Sequence, residues 1–108
     1  MRVRVHSPPE AANELIQAVT KLCDLRYGEY DSVAWISSTG EEQFRPLLNA
    51  SPAQGQTGKL SKLPSVAIEF SIPNDTDLLE RVVIEAILPN HPWERPVIRV
   101  STESEVLL

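Results

Sequence analysis

The sequence predicts an α+β protein in which two helices cover one face of an antiparallel sheet. Short segments with alternating polar and apolar residues are separated by two longer segments whose apolar residues recur at helical spacing. The order of the segments is β-α-β(β)-β-α-β, which is the order of the ferredoxin-like arrangement. We expect a single domain over residues 1–108, a length that is sufficient to bury one core.

The N-terminal part predicts a strand followed by a helix. Arg2–His6 alternates polar and apolar residues, as a strand buried on one face does. Ser7 can act as the N-cap of the following helix, with Pro8 at its first position. The helix is predicted to end near Leu25, and its apolar stripe consists of Ala12, Leu15, Ile16, Val19, Leu22 and Cys23. We interpret the single cysteine, Cys23, as a small buried hydrophobic residue.

The middle of the chain predicts a β-hairpin that extends the sheet. Asp31–Ser38 has the composition of a strand, Ser38–Glu42 that of a turn, and Gln43–Leu47 that of the returning arm. Asn49–Gly58 is rich in Ser, Pro, Gln and Gly and has no periodicity, which predicts a surface loop. The clearest strand of the chain, Val66–Ile72, follows this loop.

The C-terminal part predicts a second helix and a last strand. Asn74 or Asp75 can cap the helix, and Pro89 is predicted to end it. The segment Asn90–Pro96, named here the corner, is stiffened by two prolines and leads into a strand at Val97–Ser101. In the ferredoxin-like order the first strand lies between the third and fourth. The uncovered sheet face is then expected to place Glu69 beside Arg2 or Arg4, with Arg99 on the far side.

Composition excludes several classes of partner. The net charge is −5, which opposes the clustered positive charge of a nucleic-acid-binding surface. No apolar segment approaches the length of a membrane span, and the N-terminus lacks the apolar region of a signal peptide. One cysteine cannot form an internal disulfide. We therefore expect a cytoplasmic protein that binds neither nucleic acid nor membrane.

Four segments together resemble the module inserted in YqfO-type proteins, and the resemblance covers roughly residues 3–100. The segments are Tyr27–Ser32 together with Trp35–Gly40, then Phe44–Leu47, Gly55–Leu60 and His91–Pro96. The third is similar to that family's G-x-x-G-x-L pattern. The fourth is similar to its H-P-Y-E-x-P corner, which the CutA family shares in a related form, although Trp93 replaces the usual Tyr.

The resemblance implies a stand-alone YqfO-type module with a CutA/PII-like fold, assembled as a homotrimer whose sheets face its centre. Tyr30 and Trp93 would then lie at corners or subunit interfaces. In full-length YqfO proteins the surrounding domain carries a two-metal site. That domain is absent from this sequence, so neither its metal chemistry nor the label of GTP cyclohydrolase is carried over. The expected role is binding or assembly, including regulation or sensing of a small ligand.

His91 and Glu94 are candidate ligands for a divalent metal such as zinc or copper. An imidazole and a carboxylate three residues apart can converge on one ion, and CutA-like proteins are associated with metal tolerance. His6 or a neighbouring subunit would have to complete the site, because zinc usually has at least three protein ligands. The alternative is structural: His91 and Glu94 satisfy backbone groups of the corner, and Trp93 packs at a subunit boundary.

A loop supplies a second candidate site, for an anion or small ligand between subunits, by analogy with PII. It would use Arg45, Gly55, Gly58 and Lys59, because glycine-rich turns expose backbone N–H groups and the basic side chains add positive charge. The alternative is a flexible loop without a ligand. The sequence shows no Ser–His–Asp, CxxC or HExxH pattern, so we expect neither an enzyme nor a tightly held cofactor.

Overall fold

The computed structural model describes residues 1–106 and 108. Over this range the chain has the predicted α+β class, with a five-stranded antiparallel sheet and two helices. The strands are β1 (Arg2–Ser7), β2 (Trp35–Ile36), β3 (Gly40–Phe44), β4 (Ser61–Ser71) and β5 (Ile98–Ser101). The first helix is a 3₁₀ turn, Pro9–Ala11, followed by α1 (Ala12–Thr20). The second comprises α2 (Thr76–Arg81), a π-helical segment, Val82–Ile87, and a last turn, Leu88–Asn90.

The central strand of the sheet is β1, which lies between β4 and β5 in the order β2-β4-β1-β5. The register pairs Arg4 with Glu69 on one side and with Arg99 on the other. Glu69 Oε1 lies 3.5 Å from Nε of Arg4 and 3.9 Å from Nε of Arg2. The predicted placement of these four side chains on the uncovered face is therefore confirmed.

The core lies between the sheet and the two helices. Strand residues of alternate positions point to the helices and are buried: Val3, Val5, Val66, Ile68 and Phe70. The helices bury their apolar stripes against them with Leu15, Val19, Val82, Ala86 and Ile87. Cys23 packs against the margin of this cluster but is only half-buried, whereas the sequence predicted a buried residue.

The predicted β2–β3 hairpin is wrong. Both strands pair with β4, one after the other along the same edge: Ile36 opposite Ile68, and Gly40 opposite Ser65. The β2–β3 side has one extra residue between these pairs, and Ser37 accommodates it. The Ser37 side chain accepts a hydrogen bond from Ala67 N–H, and its own N–H donates to the Ala67 carbonyl. Ser38–Glu42 therefore belongs to the bulge and to β3 and does not form a turn, because β2 and β3 both pair with the same edge of β4.

A two-stranded arm results from this pairing. β1 pairs with β4 along Val66–Ser71, whereas Ser61–Ser65 of β4 pairs with β3. We name β3 and Ser61–Ser65 the arm, which continues into the long loop 45–60. The loop was predicted correctly as irregular over Asn49–Gly58, while β4 starts five residues before the predicted Val66.

The start and end of the first helix differ from the prediction. Ser7 belongs to β1 and is fully buried, and its hydroxyl donates to the Pro8 carbonyl, so it does not cap the helix. The helix ends at Thr20, and Leu25 adopts a positive φ of 51°. At the start of the helix, pairing with Val66 keeps Ser7 in β1. After its end, the chain reverses direction, and this reversal buries Leu25 in place of a further helical turn.

The second helix starts as predicted and ends later. The Asp75 carboxylate accepts hydrogen bonds from the N–H groups of Asp77 and Leu78, which is an N-cap. Pro89 does not end the helix, which continues to Asn90. The π-helical segment before it widens the backbone, and a wider turn relieves the contact between a proline ring and the carbonyl four residues earlier. No helix in the described residues is both long and apolar enough to cross a membrane.

Candidate ligand-binding cleft

A cleft with a volume of about 730 Å³ lies between the arm, the loop 45–60 that joins the two strands of the arm, and the corner. This volume is within the range of small-molecule sites. Apolar and charged side chains line it together, including Phe44, Arg45, Leu47, Trp93, Glu94 and Val97. Arg45, Trp93 and Glu94, which the sequence placed in separate candidate sites, therefore meet in one.

His91 fixes the corner from the inside. Its Nδ1 lies 3.1 Å from Trp93 N, and its Nε2 lies 2.7 Å from the His6 carbonyl oxygen. The backbone N–H of Trp93 must donate, so Nδ1 accepts and the proton resides on Nε2, which donates to the carbonyl. The side chain is 9% exposed, and this burial lowers its pKa below the ordinary value, against the opposing effect of the His6 carbonyl. His91 is a neutral imidazole with both nitrogens in use.

Trp93 and Glu94 project from the corner to the cleft. The half-buried Trp93 ring lies beside the His91 imidazole, with centroids 5.2 Å apart and planes inclined by 49°. Glu94 Oε1 accepts a hydrogen bond of 2.9 Å from Ser51 N–H. This bond ties the corner to the loop on the other side of the cleft. The structural alternative formulated for His91 and Glu94 describes these hydrogen bonds.

Glu42 connects the cleft to the uncovered sheet face. Its Oε1 accepts from Nδ1 of His6 at 2.9 Å and from the Ser65 hydroxyl at 3.2 Å. An ionised carboxylate can only accept, so Nδ1 of His6 carries a proton in this pair. The two histidines therefore do not face each other: the His91 ring contacts the backbone of His6, while the His6 ring contacts Glu42.

The predicted ligand loop is divided by the structure. Arg45 lines the cleft, whereas Gly55, Gly58 and Lys59 lie outside its lining among the described residues. Gly55 has a φ of 92°, and a Cβ there would lie 3.0 Å from the Phe44 ring. Gly58 also has a positive φ and donates its N–H to the Pro46 carbonyl. Loop geometry thus requires glycine at position 55, where the chain packs against a cleft wall.

The donor set at His91 and Glu94 does not fit a metal ion in this conformation. Both imidazole nitrogens and one carboxylate oxygen already bond to protein groups. Residues 1–106 and 108 contain no group of three or more His, Cys, Asp or Glu side chains arranged to hold a metal. A metal would have to displace these bonds and find a further ligand outside the chain.

Tyr30 lies away from the cleft, on an exposed turn where Tyr27 and Tyr30 exchange backbone hydrogen bonds across Gly28. Sequence reasoning missed Phe44, Leu47 and Val97 as cleft residues, and it missed the contact of Glu42 with His6. Gly40–Phe44 does not alternate between polar and apolar residues, and its glycine and two acidic residues favoured a turn. Nothing local indicated that the loop would fold back toward the corner.

The fold and the cleft together define an α+β module with a site of ligand size at one end of its sheet. No family model matches the chain. Over 108 residues it is 30% identical to a protein of Staphylococcus epidermidis named "GTP cyclohydrolase 1 type 2 homolog". The matched region covers 96% of this chain and 28% of that protein. A Bacillus subtilis protein of the same name is 31% identical over 93 residues, covering 86% and 24%.

A solved structure agrees with these relatives. The crystal structure of a Bacillus cereus protein related to NIF3 superposes with a TM-score of 0.70 at 26% identity, over 91% of this chain and 24% of that one. Over most of its length the chain is therefore similar to a part of each of these proteins. The chain spans about a quarter of the length of these relatives.

Proposed function

We propose that this chain is a ferredoxin-like binding and assembly module of the CutA/PII type, which binds a small ligand in the cleft. The proposal depends on one observation: Arg45, Trp93 and Glu94 all line a cleft with a volume of about 730 Å³. The strand order, with β1 between β4 and β5, supports the ferredoxin-like assignment. Regulation by the bound ligand would follow from a ligand-dependent position of the arm.

Assembly as a homotrimer is the second part of the proposal. Helices cover one face of the sheet, whereas the other face carries Trp35, which pairs with Glu69 and is 53% exposed. Trp and Arg, which both lie on this face, are side chains enriched in protein interfaces. The uncovered face would therefore pack against other copies of the chain.

Size-exclusion chromatography with light scattering tests the assembly. The wild-type protein is expected to elute at three chain masses at micromolar concentration. Trp35→Asp would place a charge in the apolar part of the interface, and we expect it to shift the mass to that of one chain. The control is Ile84→Asp, because Ile84 is similarly exposed, at 55%, but lies on the second helix. A wild-type monomer would refute the trimer, and equal masses for both variants would refute the assignment of its interface to the uncovered face.

A divalent metal-binding protein that uses His91 and Glu94 is the alternative function. Zinc or copper would have to replace the hydrogen bonds to Trp93 N–H and Ser51 N–H. Isothermal titration of each metal into wild type and Glu94→Gln tests it, because the amide keeps the side-chain size and loses the ligand charge. A site there predicts a large loss of affinity in the variant. Equal affinities would remove the corner as a metal site.

We do not extend the proposal to catalysis. The name of the Staphylococcus and Bacillus relatives refers to proteins about four times as long as the region matched here. Among the described residues, the lining of the cleft contains no histidine, serine, threonine or cysteine. A binding role is the one that this set of side chains supports.

A further inference from the structure

In the cleft, the acidic side chains have hydrogen-bond partners within the protein, whereas the basic side chains have none among the described residues. The lining contains two carboxylates, Glu42 and Glu94, and two guanidinium groups, Arg45 and Arg95. Both carboxylates already accept hydrogen bonds from the protein. Neither arginine forms an ion pair or a side-chain hydrogen bond with any part of residues 1–106 and 108. The charged side chains of the lining that have no protein partner among the described residues are therefore both positive.

The walls of the cleft are mainly apolar. Phe44, Leu47, Trp93 and Val97 provide rings and aliphatic groups, and the indole is held in place by its packing beside His91. Apolar walls favour a ligand with an organic body, because burial of its apolar surface is favourable. A guanidinium over an apolar wall pairs well with a carboxylate, sulfonate or phosphate, since its N–H groups form charge-assisted hydrogen bonds.

We propose that the cleft selects an amphipathic organic anion, with an apolar or aromatic body against Trp93 and Phe44 and its anionic group at Arg45 and Arg95. This inference rests on the proposed ligand-binding function and adds the chemical class of the ligand. It assigns the indole to the ligand body and the two guanidinium groups to its charge. An inorganic anion alone lacks the apolar contacts, and a neutral apolar compound lacks the ion pairs.

A pair of fluorescent probes can separate these contributions. Anilinonaphthalene sulfonate has an aromatic body and a sulfonate, whereas N-phenyl-1-naphthylamine has nearly the same body without the charge. We expect Arg45→Met/Arg95→Met to weaken binding of the sulfonate by about tenfold or more, because two charge-assisted interactions are lost. Binding of the neutral probe should change by less than about twofold, since its contacts are apolar. Arg26→Met/Arg81→Met, which removes two exposed guanidinium groups outside the cleft, is the charge control.

A second pair of variants tests whether either probe occupies the cleft. Leu47→Asp alters the cleft wall, and Leu60→Asp alters an exposed leucine outside the lining; both should leave the fold intact because both side chains are exposed. Leu47→Asp should weaken both probes, and Leu60→Asp neither. If both probes bind the cleft but the arginine variant binds the sulfonate as wild type does, the anion inference is wrong and the binding function stands. If Leu47→Asp affects neither probe, the ligand site itself is refuted.

Discussion

Phe70→Ala is expected to lower the free energy of unfolding by about 3–5 kcal/mol, the usual cost of removing a buried aromatic side chain. Phe70 is 1% exposed and lies in the core between β4 and the two helices. The loss is a large part of the total stability of a typical domain, which is about 5–15 kcal/mol. Chemical denaturation, followed by circular dichroism, measures it directly.

Leu48→Ala is the matched control for this change. Leu48 is 86% exposed and lies in the loop that joins the two strands of the arm, so its truncation removes little buried surface. We expect a change within about 0.5 kcal/mol, as for most surface positions. Equal destabilisation by the two substitutions would contradict the assignment of Phe70 to the core.

His91→Leu is expected to give the second large effect, on stability and on its pH dependence. The substitution leaves Trp93 N–H and the His6 carbonyl without their partner, at a cost of about 1–3 kcal/mol for each buried group left unpaired. In the wild type, burial lowers the pKa of His91, so the unfolded chain binds its proton more readily than the folded chain does. This site therefore contributes stability that is complete above about pH 6.5 and declines as the pH falls through the lowered pKa.

Chemical denaturation between about pH 5 and pH 8, on either side of the ordinary histidine pKa, tests the second prediction. His91→Leu should lose the part of the acid destabilisation that comes from this imidazole, since leucine has no proton to bind. Parallel pH profiles for wild type and variant would show that His91 is not held in its neutral form.

The sequence was informative where one physical signal acted alone. Alternation placed Val66, Ile68 and Phe70 on one face of a strand, and the acid at Asp75 marked a helix start; both agree with the structure. It was misleading where a local preference competed with a distant partner. Ser7 has the chemistry of an N-cap, but strand pairing with Val66 determined its position.

The cleft could be predicted only in pieces. Two prolines showed that the corner was rigid, and its histidine and carboxylate attracted attention as polar groups. The partners of those groups are the His6 carbonyl and Ser51 N–H, and backbone groups have no signature in side-chain composition. Arg45 and Trp93 are separated by 47 residues, and pairing of β3 with β4 brings the first of them to the second. Long-range register of this kind is set by the whole sheet.

The arm can open while the rest of the sheet stays packed against the helices. Ser61–Ser65 and β3 pair with each other beyond the region where β1 supports β4, and the pairs near their end are exposed or half-buried. Local fluctuations require less free energy where few apolar contacts must be broken. The arm can therefore separate from the corner while Val66–Ser71 stays closed against the helices. Opening of the arm would therefore widen the cleft without unfolding of the core.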